Sequence, residues 1–319
     1  MFKQKKFIVS HAPFWHIGSG IPERNYNMII AALPAVLMGF TVFGIPAVGV
    51  IALSVAFAVL WELAVNYVSK RPYTVADGHA IYIGLIFGMV MPATVPWWLI
   101  LVGTFLAIVI GKEIFGGIGS NPFNAVALAY AILLVSWGIH LDFNAKLANY
   151  TFDFPAAYPI AALQAFGPSA TEPFSLLGMF MGQQVGGIGS VCGIAIVLGG
   201  VYLILRGFIR WEISVSFVVG VFVTAFLFNV YNPAVYGAPL FHLVTGYTLI
   251  GAFFLATDDG SSPVNFIPML IYGALGGVLT VLIRNIGSYV DGVFFAILLI
   301  NVVNPVLDKI RPKALGKVA

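Results

Sequence analysis

Ala165-Phe166-Gly167-Pro168-Ser169-Ala170-Thr171-Glu172-Pro173-Phe174 is a polar, proline-punctuated segment set between two strongly apolar blocks. It lies in the longest span without a membrane-length apolar run, roughly residues 138–184, and divides the chain in two. A membrane helix needs about 20 largely apolar residues. By that measure five runs precede the span, roughly 27–44, 46–68, 78–92, 95–115 and 122–138. Five follow it, roughly 185–205, 211–229, 241–257, 264–283 and 290–307. The expected fold is an all-α integral membrane protein of about ten transmembrane helices.

Working outward, the chain divides into an amino-terminal segment 1–26, a first five-helix block 27–138, a loop 139–184, a second five-helix block 185–307 and a tail 308–319. The blocks are weak repeats of each other. Ile83-Gly84 and Phe87 return as Ile250-Gly251 and Phe254, and Ala131-Ile132-Leu133-Leu134 returns as Ala296-Ile297-Leu298-Leu299, at a near-constant offset. An odd number of helices per repeat makes the second block enter the membrane from the opposite side, which predicts inverted repeats with a site between them. Runs 78–92, 241–257 and 290–307 are short or interrupted by Gly and Pro, as in sites lined by helix ends.

Composition supports the class: 60% of residues are hydrophobic and 8% charged, against roughly 25% charged in a soluble domain. The single cysteine, Cys192, excludes an intrachain disulfide and a cysteine-ligated iron-sulfur cluster. His11, His16, His79, His140 and His242 lack the helical pairing of a metal site. The net charge of +3 sits in membrane-flanking residues, which implies lipid contact and no nucleic-acid partner. Residues 1–27 read as polar and aromatic, without the charged start and apolar core of a cleavable signal.

Lys and Arg placement sets the expected orientation. With the amino terminus in the cytoplasm, the inner segments hold Lys3, Lys5, Lys6, Arg24, Lys70, Arg71, Lys112, Arg206, Arg210, Lys309, Arg311, Lys313 and Lys317. The outer segments hold only Lys146 and Arg284. Both termini are expected in the cytoplasm of a cell with this protein in its inner or cytoplasmic membrane. The loop with Thr171, which also holds Asp142, Asp153 and Glu172, faces outward.

Within that loop, Pro168 and Pro173 bracket Thr171 and are expected to hold the backbone near an extended or turn conformation. The Thr171 hydroxyl then forms an ST-turn, caps the following helix, or serves something outside. Arg284 is a cation at an outer helix end: it pairs with Asp291 and snorkels to the surface, or it seats an anionic group. Asp77 caps the third run or faces an inner-leaflet cofactor. Glu62 is a buried carboxylate on an ion path or a solvated helix end. Gly116-Gly117-Ile118-Gly119-Ser120 and Gly186-Gly187-Ile188-Gly189-Ser190 have no strand before them and read better as close helix packing than as phosphate loops. Ser120-Asn121-Pro122 reads as a helix start with proline at its first position, and Trp97 and Trp98 as interfacial anchors.

Ser169-Ala170-Thr171, in a loop between two five-helix blocks, resembles the flavinylation segment of the RnfD/NqrB family. Other blocks resemble it in order and spacing: Asp77-Gly78, Gly119-Ser120-Asn121-Pro122-Phe123-Asn124, Gly186-Gly187-Ile188-Gly189-Ser190, His242-Leu243-Val244-Thr245-Gly246, Phe253-Phe254-Leu255-Ala256-Thr257-Asp258 and Tyr289-Val290-Asp291-Gly292-Val293. The resemblance covers residues from about 25 to 308. One departure is that Pro168 stands where the family has Ser or Thr three residues before the attachment threonine, with Ser169 one position later.

The resemblance implies FMN joined by a phosphoester to Thr171, with Ser169 as the competing hydroxyl and Arg284 and Asp77 as further cofactor-binding candidates. It also implies non-covalent riboflavin as a second carrier, a flavin transferase, and partners of the RnfA, RnfB, RnfC, RnfE and RnfG types. The short stretch before the first run points to the Rnf type, whose complex relays electrons between ferredoxin and NAD coupled to Na+ or H+ transport. The quinone-reductase component of the sodium-pumping NADH:quinone oxidoreductase is one alternative. A ten-helix solute channel or transporter is the other, and it has no need of a proline-bracketed outer threonine.

Overall fold

The computed structural model describes residues 20–143, 150 and 152–310; the expectations resting on both chain ends, Lys146 and residues 144–149 lie outside them. Thirteen α-helices are present among the described residues, and no strand. The first block gives α1 (Ile21–Phe43), α2 (Ile45–Val68), α3 (His79–Val90), α4 (Trp97–Phe105) and α5 (Ala125–Trp137). The connection gives α6 (Pro159–Phe166) and α7 (Leu176–Met181). The second block gives α8 (Gly193–Leu205), α9 (Trp211–Tyr231), α10 (Pro239–Val244), α11 (Thr248–Ile250), α12 (Phe266–Ile286) and α13 (Val293–Leu307).

Every apolar run thus contains helix, but only five helical stretches among the described residues are long and apolar enough to cross a membrane: 21–43, 45–68, 97–115, 211–231 and 266–286. The remaining runs are shorter because other groups displace helical backbone. In the sixth, residues 185–192 stay non-helical and buried: the Ile188 N–H donates to Met91 O at 3.1 Å and the Gly189 N–H to Met89 O at 2.8 Å. A side chain on Gly189 would collide with Met89, so this glycine segment serves close packing. The eighth run breaks into α10, α11 and a π-helical turn at Gly251–Leu255, and the fourth ends in a second π turn at Leu106–Ile110. Such turns are rare and recur near functional sites.

Helix α5 begins three residues later than Ser120-Asn121-Pro122 suggests. Asn124 caps it through the Ala127 N–H at 2.9 Å, while the Asn121 amide is spent on Phe123 O and Asp258 Oδ2, both at 2.9 Å. The Asn124 side chain also donates to Leu255 O, and its backbone N–H donates to Asn301 Oδ1, joining the two blocks.

Helices α9 and α12 lie against each other, with Gly220 over the Ala274 carbonyl and Gly277 over that of Phe217, where no Cβ fits. One continuous core runs through both blocks and includes Phe87, Phe217, Tyr247, Phe254, Tyr272 and Phe294. A separate cluster of Leu163, Phe174, Met179 and Phe241 ties the connecting segment to α10. That cluster fixes where Thr171 sits. Trp97 is exposed, as an interfacial anchor must be, whereas Trp98 packs edge-on against Trp137 and His140.

Candidate functional site

Pro159 opens α6, which ends at Gly167 in a left-handed φ of 77° that favours glycine. Pro168 then starts a 3₁₀ turn over Pro168–Thr171, so the proline-bracketed segment is wound rather than extended. The Thr171 hydroxyl donates to Pro168 O at 2.7 Å. It therefore caps nothing; the following helix, α7, is capped by Ser175, whose Oγ accepts the Gly178 N–H at 3.2 Å. Donating its hydrogen leaves the Thr171 oxygen with lone pairs at a partly exposed position. Ser169 is exposed and donates weakly to Phe166 O at 3.4 Å.

Arg284 pairs with Asp291 at 2.9 Å, with the side chains 1% and 7% exposed. The pairing expected from sequence is present, and the snorkelling is not. The guanidinium also donates to His242 O at 2.9 Å. Asp291 accepts the N–H groups of Tyr247 at 2.9 Å and Val293 at 3.2 Å, and the Tyr158 hydroxyl at 3.3 Å. So many donors are what a buried carboxylate needs to remain charged.

Beside this network lies an open cavity of about 270 Å³, bordered by Leu163, Gln164, Gly167, His242, Arg284 and Asn285 among others. Gly167 immediately precedes the Thr171 turn, so the cavity and the candidate attachment residue share one segment. His242 is buried, and among the described residues neither ring nitrogen has a hydrogen-bond partner; Asn285 Nδ2 is in the same position. A neighbouring cavity of about 190 Å³ is walled by Tyr130, Tyr158 and Tyr247. Their hydroxyls are already engaged: Tyr130 with Tyr247 at 3.3 Å, Tyr247 with Val90 O at 2.6 Å, and Tyr158 with Asp291. Sequence reasoning misses His242, Gln164 and Asn285 as site residues. The broken eighth run, the block His242-Leu243-Val244-Thr245-Gly246 and the candidate Arg284 are the sequence signals that point there.

The opposite end of the molecule carries a second polar cluster. Helix α12 separates the two, its 21 residues rising about 31 Å. At that end Lys112 pairs with Glu62 at 2.9 Å and Glu113 at 3.3 Å, with Glu62 fully buried. Glu62 also accepts the Thr74 hydroxyl, and is thus part of an internal ion pair rather than a solvated helix end. Asp77 is not the cap of α3, a position that Gly78 holds; it accepts the His79 N–H at 2.8 Å from one residue further out, and its carbonyl accepts Asn25 Nδ2 at 2.9 Å. Burial raises the Asp77 carboxyl above its ordinary value, opposed by the His79 hydrogen bond and Lys112. Burial likewise raises Asp258, opposed by hydrogen bonds from Asn121 and Ser261. His79, Lys112, Asn121 and Asp258 border a cavity of only about 20 Å³.

Residues 8–316 match the family described as NQR2, RnfD, RnfE. The chain belongs to that family. Within it, the chain is 35% identical to the D subunit of the proton-translocating ferredoxin:NAD(+) oxidoreductase complex of Clostridium ljungdahlii, over 96% of this chain and 95% of that one. It is 36% identical to the D subunit of the Na(+)-translocating ferredoxin:NAD(+) oxidoreductase complex of Acetobacterium woodii, over 94% and 92%. The D subunit of an ion-translocating oxidoreductase complex of Pectobacterium carotovorum is 32% identical over 97% and 99%. The family resemblance read from the motif blocks is therefore borne out along nearly the whole chain.

Proposed function

We propose that this chain is the RnfD-type component of an ion-translocating ferredoxin:NAD+ oxidoreductase complex, and that it carries FMN as a phosphoester on Thr171. The observation that carries the reading is its near full-length similarity to relatives named for that role. Thr171 suits attachment because its hydroxyl oxygen is partly exposed on a turn braced by Pro168 and anchored by Phe174. Ser169, more exposed, is the competing hydroxyl. A flavin transferase is the implied modifying partner, and the other Rnf components are the implied electron donors and acceptors.

Beside the Thr171 turn the larger cavity offers apolar walls from Ile160 and Leu163, with the Arg284 guanidinium and His242 buried behind them. Flavin bound there supplies reversible electron carriage. The protein's part is to hold the phosphate at Thr171 and to set the ring's surroundings, since a phosphate tether leaves the ring itself unaltered. Arg284 is the cation of that setting. Riboflavin at the inner end fits poorly, because a cavity of about 20 Å³ holds about one water; the Asp77 carboxylate there serves the His79 N–H instead.

The proposed topology places both termini in the cytoplasm, Thr171 outside, and the two five-segment blocks in inverted relation. The relatives' names include both proton and Na(+) translocation, and the coupling ion here is one of the two. Intact-mass and peptide-mass analysis of the protein purified from its own host tests the assignment. The expected result is FMN on the peptide spanning residues 165–175 with other Rnf components co-purifying; an unmodified peptide from the native complex overturns it.

A further inference from the structure

The start of α1 and the turn that joins α8 to α9 border an open cavity of about 250 Å³, lined by Arg24, Phe208, Arg210, Thr257, Asp259 and Ser262 among others. Its charge is unbalanced. Arg24 pairs with Asp259 at 2.8 Å, whereas Arg210 makes neither an ion pair nor a side-chain hydrogen bond among the described residues. Of the two hydroxyls, that of Thr257 donates to Phe253 O at 2.7 Å, and that of Ser262 keeps its hydrogen for another acceptor. The cavity therefore offers a free guanidinium, the remaining donors of Arg24 and one hydroxyl, against a single carboxylate already paired. This donor set suits a phosphate group, whose oxygens a guanidinium fork meets two N–H groups at a time.

Position identifies the source of the phosphate. Arg24 lies in the first turn of α1 and Arg210 stands at the N-cap of α9, two helices of 23 and 21 residues that are long and apolar enough to cross a membrane. Neither start has a side-chain cap, so first-turn N–H groups add partial positive charge beside the arginines. Leu205 and Trp211, both exposed, adjoin the turn, as expected where a lipid-facing surface meets the headgroup layer. Under the proposed topology this end faces the cytoplasm, where basic pockets between membrane helices take anionic headgroups.

We propose that this cavity binds the phosphate of an anionic phospholipid headgroup, with Arg210 as its main cation and Arg24 and Ser262 as further donors. The inference rests on the membrane-spanning reading of α1 and α9 and is independent of flavin attachment at Thr171.

The test uses the full-length chain, delipidated in detergent, with two readouts: native mass of bound lipid and melting temperature. The probes are phosphatidylglycerol, zwitterionic phosphatidylcholine and inorganic phosphate. Arg210→Gln changes an exposed, unpaired side chain and should leave the melting temperature of the lipid-free protein unaltered. Arg71→Gln, at an arginine half-exposed at the same end but outside the cavity, is the control. The wild type is expected to retain phosphatidylglycerol over phosphatidylcholine, with retention falling severalfold in Arg210→Gln and little in Arg71→Gln. Equal retention in all three proteins, or an equal fall in both variants, overturns the site in favour of diffuse attraction to the surface. Stabilisation by inorganic phosphate as large as that by phosphatidylglycerol, and lost in Arg210→Gln, keeps the phosphate site and overturns the lipid as its source.

Discussion

At the residue scale two side chains matter most. Thr171 makes one hydroxyl bond, to Pro168 O, whose loss costs about 1 kcal/mol. Thr171→Ala should therefore abolish covalent FMN while lowering thermal stability only slightly, and Thr171→Ser should keep part of the flavin because the nucleophilic oxygen survives. In-gel flavin fluorescence after denaturation, alongside a melting curve, checks both; flavin retained in the alanine variant would transfer the assignment to Ser169. Arg284 is different, because it is enclosed with Asp291. Arg284→Gln leaves the carboxylate held by Tyr247, Val293 and Tyr158 but without its countercharge, a loss of about 3–5 kcal/mol by analogy with broken buried pairs. In protein that still folds, the flavin's midpoint potential should fall with attachment intact. An unchanged redox titration would leave Arg284 with its structural role alone. The Thr171 hydroxyl is legible in the sequence through its prolines, but its 3₁₀ conformation is not: two prolines fix φ at their own positions and leave the ψ angles between them to packing.

At the element scale the apolar runs locate the helices, and the interruptions locate the broken ones. Residues 78–92 and 241–257, short or interrupted in the sequence, form a twelve-residue helix and a helix in pieces. What the runs do not convey is which backbone leaves the helix to bond elsewhere, as residues 185–192 do against the end of α3. Such choices depend on a partner more than ninety residues away. The Glu62–Lys112 pair joins α2 to the segment after α4 in the same fashion. Lys112→Met should destabilise the protein by about 3–5 kcal/mol, and adding Glu62→Gln should recover most of the loss, since the penalty lies in the uncompensated charge. Melting temperatures of the single and double variants decide it; equal loss in both would show that packing dominates. Gly277→Val, which sets a side chain against the Phe217 carbonyl, should separate α9 from α12 and reduce the yield of folded protein.

At the scale of the whole molecule, polar clusters lie toward both ends of α12, and helices long and apolar enough to cross a membrane run between them. The orientation prediction is that Glu172, exposed beside Thr171, lies outside the cell. A cysteine placed there should react with an impermeant thiol reagent on intact cells, and the native Cys192, 1% exposed, should stay silent. Labelling only after the inner face is opened would invert the topology. The isolated chain should oxidise neither ferredoxin nor NADH, because its proposed chemistry is carriage alone. Robust turnover by the chain free of its partners would sink the relay reading.

Composition and the spacing of apolar runs are enough, from sequence alone, to establish a membrane protein, because burial in lipid demands long apolar helices whatever their neighbours. The order of the motif blocks is enough to indicate the family. Only the tertiary structure decides that Arg284 is enclosed with Asp291 and that Glu62 is paired with Lys112. It alone gathers His242, Asn285 and Gly167 around one cavity. The reason is physical. A hydropathy pattern records how much each residue avoids water, a property of the residue. A partner for a buried charge or amide is a property of which helices meet, and that is settled by close approaches such as Gly277 on Phe217.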